Sequence, residues 1–252
     1  MSLRTKGETG DALGTWVKLP DPESVEIMAH AGFDFVVIDL EHTAMDLRAV
    51  STHVAMARSL AVDPLVRVPD HGHSAIQRVL DAGAAGVVVP HVDTVAQAEA
   101  AVRSTRFPPW GTRGSGGTSR AGRWGTLPRD EYLDFGNNGA LCVVQLESRQ
   151  GIENTAGILA VDGIDSVFVG AADLSMEMGV PASDAQVQDL ITHALEAASD
   201  AGRSIGTAAG TSEQGLAALA RGFDYVVVSN DTSILANGAR QIVNAVYPDQ
   251  AG

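Results

Sequence analysis

The sequence predicts an α/β protein, a single closed barrel of eight parallel strands with a helix after each. Three observations carry this. Eight short apolar runs alternate with stretches of helical periodicity. Four helix-to-strand junctions, AGFDFVVID, AGAAGVVVP, VDGIDSVFVG and RGFDYVVVS, repeat one pattern of a Gly near the helix end and then a run of Val. Eight such units in about 235 residues match the size of a (β/α)8 barrel. An open doubly wound sheet would more often carry a glycine-rich phosphate fingerprint after its first strand, whereas TWVKLPDPE stands there.

Taken in order, GTWVKL (14–19) is the first strand. Pro20-Asp21-Pro22 stops it, with Asp21 as N-cap of a helix over 23–31 and Gly32 as its C′ residue. FVVIDL (35–40) is the second strand, followed by a helix over 46–60. LVRV (65–68) is the third, followed by a helix over 74–82. GVVVP (86–90) is the fourth, and Thr94 with Gln97 has capping-box spacing for the helix over 94–104. The stretch from Phe107 to Pro128 is too rich in Gly and Pro for a regular element, yet its three Arg and two Trp set it apart from a flexible linker. A short helix over 129–137 leads to strand five, LCVVQL, and a helix-bearing link leads to strand six, ending near Gly170. Helices over 185–201, 212–220 and 232–246 and strands over 204–209 and 225–229 complete the chain, as one domain of 1–252 with a flexible tail at 1–12.

Composition narrows the partners. A formal charge of −14 argues against nucleic acid and anionic membrane surfaces. One cysteine, Cys142, permits no internal disulfide framework, and inside a strand it reads as core. The first residues lack the apolar stretch of a signal peptide, and no run reaches the length of a membrane span, so a cytoplasmic location is expected.

In a barrel of this kind the site lies where strands hand over to their loops. That rim holds Trp16, Asp39, Glu41, His42, Arg67, His91, Asp93, Gln145, Glu147 and Asp173. Glu147 and Asp173 end neighbouring strands about 4.8 Å apart. Two hard oxygen ligands there suit Mg²⁺ or Mn²⁺. An imidazole and a guanidinium face them across the mouth, a base and a cation for a developing oxyanion. The spacing assigns no task to His91, His71 or His73. The two lysines, Lys6 and Lys18, are not placed for Schiff-base chemistry, so an electrophile other than an imine is required.

The motifs VVIDLEHTAMD, PLVRVPD, QRVLDAGAAGVVVPHV, RFPPWGTRG, VVQLESRQGIEN and VFVGAADLS resemble the HpcH/HpaI family of metal-dependent class II pyruvate aldolases, over residues 14–230. The resemblance implies a TIM barrel of the phosphoenolpyruvate/pyruvate type and a divalent metal (Mg²⁺ or Mn²⁺, with Co²⁺ as a substitute) held by Glu147 and Asp173. It implies cleavage of a 4-hydroxy-2-oxo acid to pyruvate and an aldehyde. Arg67 would stabilise the enolate, and His42, oriented by Asp39, would move the protons. Trp16, Gln145, Ala172 and Asp173 would bind substrate. It also implies a hexamer in which the last helix packs on a neighbour and Asp81 reaches an adjacent site. The family's Gly-Pro-Ala-Asp is here Gly-Ala-Ala-Asp at 170–173, which leaves the carboxylate grip less preorganised. The loop arginines Arg113, Arg120 and Arg123 are where an aldehyde could be read. The same barrel and acids also serve a citrate-lyase-like or malyl-CoA lyase relative and a 2-oxo acid decarboxylase. A non-enzymatic acid-binding barrel is the remaining alternative.

Overall fold

The structure, a computed structural model, describes residues 11–248. Eight parallel strands, β1 (Ala12–Val17), β2 (Phe35–Asp39), β3 (Asp63–Arg67), β4 (Gly86–Val89), β5 (Leu141–Leu146), β6 (Ser166–Val169), β7 (Ser204–Ala209) and β8 (Tyr225–Asn230), close into one barrel in chain order. The expected tail lies outside the described residues except at its end, where Ala12 already opens β1.

Alternation of side chains along each strand decides what faces where. Phe35, Val37, Leu65, Val88, Leu141, Val143, Phe168 and Tyr225 fill the barrel interior. Their neighbours Val36, Ile38, Val66, Val87, Cys142, Val144 and Val167 face the helices. The same parity carries the chain from Phe35 and Val37 to Asp39, from Leu65 to Arg67, and from Leu141 and Val143 to Gln145 and Glu147. The mouth is therefore polar where the interior is apolar. Rings are accommodated by missing side chains: a Cβ on Gly14 would stand 2.3 Å from the Phe35 ring, and one on Gly206 2.1 Å from that of Tyr225. Cys142 is buried and its thiol is pushed up to about 11 by burial, as befits a core residue.

The element order matches the sequence reading, with four differences. Asp21 gives no side-chain cap to the helix Glu23–Ala31; its carbonyl accepts from Ser24 N instead, and Pro22 already has helical angles. The β5–β6 link holds two short helices, Arg149–Glu153 and Thr155–Leu159. A helix not expected from the sequence, Ala171–Met178, follows β6 directly. The segment after Arg129–Asp134 is a π-helical turn, Phe135–Gly139. The Thr94–Gln97 capping box is present, and Gly32 closes its helix at φ 99°.

The Phe107–Pro128 segment is ordered, with a 3₁₀ turn at Arg123–Gly125. Arg113 is buried, stacks 4.6 Å over Phe107 and bonds Asp81 at 2.8 Å. Gly114 N donates to Gln77 Oε1 at 2.8 Å, so the segment is strapped to the helix His73–Asp81.

The last helix, Asp231–Val246, is anchored at its start only. Asp231 accepts from Lys18 N at 2.9 Å and Leu19 N at 3.0 Å. Its apolar residues Leu235, Ile242, Val243 and Val246 are more than half exposed. Its own barrel, which the helix meets at β1 and β8, leaves these side chains uncovered. Among the described residues no helix is long and apolar enough to cross a membrane.

Candidate active site

Asp39 is the buried pivot of the mouth. Arg67 grips it with two donors, Nε to Oδ1 at 2.9 Å and Nη2 to Oδ2 at 2.8 Å, and Lys18 Nζ stands 3.1 Å from Oδ2. Burial pushes this carboxyl up, but the hydrogen bonds and charges of Arg67 and then Lys18 outweigh it and hold it below the ordinary carboxylate range. Asp39 Oδ1 also accepts from the backbone N–H groups of Glu41 at 3.1 Å and His42 at 3.3 Å. It therefore positions His42 through the backbone. Glu41 stands 3.6 Å from the imidazole Nε2. Trp16 supports the guanidinium from one face, with 4.2 Å from Cζ to the ring centroid.

The second half of the mouth is acidic. Glu147 is buried; Gln145 Nε2 donates to its Oε2, and the His91 N–H donates to Oε1 at 2.8 Å. Burial pushes the Glu147 carboxyl up, and the nearby charges of Glu41 and Asp173 push the same way, against the opposing pull of His91. No side chain fits at Gly170, where a Cβ would lie 2.8 Å from Glu147 Cβ. Asp173 sits in the first turn of Ala171–Met178. Ala171, where the family's proline would stand, is the first residue of this helix. That position spares no hydrogen bond by being alanine, and the helix forms without the ring.

A cavity of about 910 Å³ opens between these halves, lined by Trp16, Arg67, His42, Gln145, Ala172 and Asp173 among others. Of the residues to which the family resemblance gives a role, Asp39, Glu147 and Asp81 are absent from its wall. The first two lie bonded behind Arg67 and Gln145. Asp81 is engaged by Arg113 of its own chain. Arg113, Arg120 and Arg123 do not line the cavity either, because the strap is docked on its own helix.

The residue the sequence reading passed over is His91. It bridges Glu41 and Glu147, and the three offer ligand atoms within 4.8 Å of one another. Spacing gave no cue. Its only signal was its place on the rim after β4. His71, by contrast, bonds the carbonyl of Pro90.

The donor set fits a divalent ion. Glu41, His91 and Glu147 gather their ligand atoms in one spot, and the charges of Glu41 and Asp173 add to burial in pushing the Glu147 carboxyl up. Gln145 Oε1 is buried without a hydrogen-bond partner, an acceptor waiting for a cation or a donor.

Acids, a clamped arginine and a histidine converging on the C-terminal mouth of a parallel barrel define an α/β-barrel enzyme site. The chain belongs to the HpcH/HpaI aldolase/citrate lyase family, whose model matches residues 12–239. A 4-hydroxy-2-oxovalerate aldolase of Rhodococcus jostii is 40% identical over 227 residues, 89% of this chain and 87% of that one. A hydroxypyruvate/pyruvate aldolase of Deinococcus radiodurans is 39% identical over 242 residues, 95% of this chain and 86% of that one. Among solved structures, an HpcH/HpaI aldolase/citrate lyase family protein of Burkholderia cenocepacia superposes with a TM-score of 0.90 at 33% identity, covering 97% of this chain and 98% of that one. The protein is an enzyme of the carbon–carbon lyase class, an aldolase by its relatives.

Proposed function

We propose that this aldolase cleaves a 4-hydroxy-2-oxo acid to pyruvate and an aldehyde, and that it depends on a divalent metal. The observation that carries this reading is Arg67, buried and clamped by Asp39, sharing one cavity with Asp173 and with Gln145, behind which Glu147 is bonded. Glu147 and Asp173 would hold the ion, with Mg²⁺, Mn²⁺ and Co²⁺ as the fitting class. Bound there, it would supply Lewis acidity toward the 2-oxo acid.

The chain's own groups do the rest. Cleavage requires loss of the C4 hydroxyl proton and a place for the electrons left on C3. Arg67 supplies the second: Asp39 takes two of its five N–H groups and Glu41 stands 3.0 Å from Nη1, and an N–H left over can donate to an oxygen gaining negative charge. Its position is set beforehand, so little reorganisation is needed. His42 is the exposed base at the cavity wall, fixed at its backbone and with Glu41 3.6 Å from its Nε2, and it would accept the hydroxyl proton directly or through water. Gln145 and the backbone N–H groups of Ala172 and Asp173 orient the substrate carboxylate, with Trp16 as the apolar wall. Lys18 is ion-paired to Asp39, which makes it a poor amine nucleophile and argues against imine chemistry.

The test is a screen of pyruvate against a panel of aldehydes, with and without Mn²⁺, reading condensation products by mass. Products of pyruvate addition that depend on Mn²⁺ are expected. A screen that yields none, while acetyl-CoA or CO₂ release is observed from other acids, would move the protein to the lyase or decarboxylase side of the family.

The assembly is proposed to be a homo-oligomer, a hexamer built from dimers, with the exposed face of Asp231–Val246 on a neighbouring subunit and Asp81 near an adjacent site. The uncovered Leu235, Ile242, Val243 and Val246 support it. Ending the chain at Asn230 should reduce the mass seen by light scattering to that of a smaller species. An unchanged monomer before and after would exclude the arrangement.

A further inference from the structure

His91 takes no part in the steps above, yet it is built into the mouth with care. Its Nδ1 lies 2.7 Å from Glu147 Oε1 and its Nε2 2.9 Å from Glu41 Oε1. Its backbone stands at φ 53°, a region that few residues other than Gly adopt and that costs free energy to hold. Glu41 is in turn fixed by Arg67 Nη1 at 3.0 Å. The side chain of His91 is 61% exposed, so its ring is open to an incoming ion.

We propose that His91 Nδ1 is a nitrogen ligand to the divalent ion held by Glu147, and that Glu41 is the carboxylate that orients its ring. This rests on the metal-dependent reading above. Metal-ligating histidines donate their second ring N–H to a carboxylate, which fixes tautomer and direction. Glu41, His91 and Glu147 reproduce that order, carboxylate, imidazole, ligand. The spacing agrees: two ligand atoms each about 2.1 Å from one ion, at a right angle, stand about 3 Å apart. The 2.7 Å between Nδ1 and Oε1 needs only a small adjustment to share an ion. A nitrogen in the set shifts preference away from Mg²⁺ and toward Mn²⁺, Co²⁺ or Zn²⁺, because imidazole suits those ions better. The competing role is a histidine that merely ties two acids together.

Pulsed electron paramagnetic resonance of the Mn²⁺-loaded protein separates the two. Wild type should show the ¹⁴N coupling of a directly bound imidazole. His91→Asn is the informative variant, since Asn tolerates the left-handed backbone that Ala would strain; His91→Gly, equally tolerant, stands in if it fails to fold. Either should lose the coupling and bind Mn²⁺ at least about tenfold more weakly, with a smaller change for Mg²⁺. Glu41→Gln should keep the coupling and lose about 10–100-fold in Mn²⁺ affinity. His42→Asn should leave both unchanged. Mn²⁺ bound by wild type without imidazole coupling, or with coupling that survives in His91→Asn, overturns the inference and leaves the metal-dependent reading standing. Absence of Mn²⁺ binding to wild type removes both.

Discussion

Glu147→Ala and Asp173→Ala are each expected to remove nearly all aldolase activity and its dependence on divalent ions. Either change leaves too few oxygen ligands to hold the ion. Its Lewis acidity is worth several kcal/mol in transition-state stabilisation. At one factor of ten per 1.4 kcal/mol, the loss is on the order of 10³ or more. Glu147 also receives hydrogen bonds from the His91 backbone and from Gln145, so alanine there disturbs the mouth as well as its charge. Glu147→Gln keeps the shape and lowers only the charge, and it should be almost as damaging. Chelated wild type should be inactive and should recover with Mg²⁺, Mn²⁺ or Co²⁺. The readings are cleavage rate against metal concentration and metal affinity by calorimetry. Full activity after exhaustive chelation would end the class II assignment.

His42 and Arg67 should separate when two reactions are compared in one protein. Aldol cleavage needs both a base for the C4 hydroxyl and a stabilised oxyanion. Decarboxylation of oxaloacetate needs only the oxyanion, since CO₂ leaves without loss of a hydroxyl proton. His42→Ala is expected to cut cleavage by about 10²–10⁴ and decarboxylation far less. The exposed imidazole supports this, because its removal loosens only a 3.6 Å approach to Glu41. Arg67→Ala should cut both by about 10²–10³. It also strips a buried carboxylate of its bidentate partner and leaves Lys18 alone to balance Asp39, so its melting temperature should fall too. Arg67→Lys should recover part of the stability and little of the rate, because an ammonium cannot grip Asp39 with two donors and still present others to the cavity. The measurement is the ratio of the two activities at saturating Mn²⁺. Equal losses in His42→Ala would mean that His42 shapes the mouth and another group moves the proton.

Much of this was legible in the residues because it is local. A period of two takes Phe35 and Val37 to Asp39 and Leu141 and Val143 to Glu147, so the chain itself determines which acids reach the interior of the mouth. The Thr94–Gln97 box and the helix stop at Gly32 are likewise contained within a few residues, and both formed as read. Helix Ala171–Met178 escaped notice because it is barely two turns long and begins inside a site motif. Contacts between residues far apart in the chain could not be read in advance. That Asp39 spends itself on Arg67 and Lys18, that Arg113 is turned inward onto Asp81, and that His91 lies between Glu41 and Glu147 all depend on closure of the barrel and on the stagger of its strands. Sequence decided which side chains point inward, since that follows from strand geometry alone; only the tertiary structure decided which of them meet, since partners such as His91 and Glu147, 56 residues apart, are brought together by register and not by spacing.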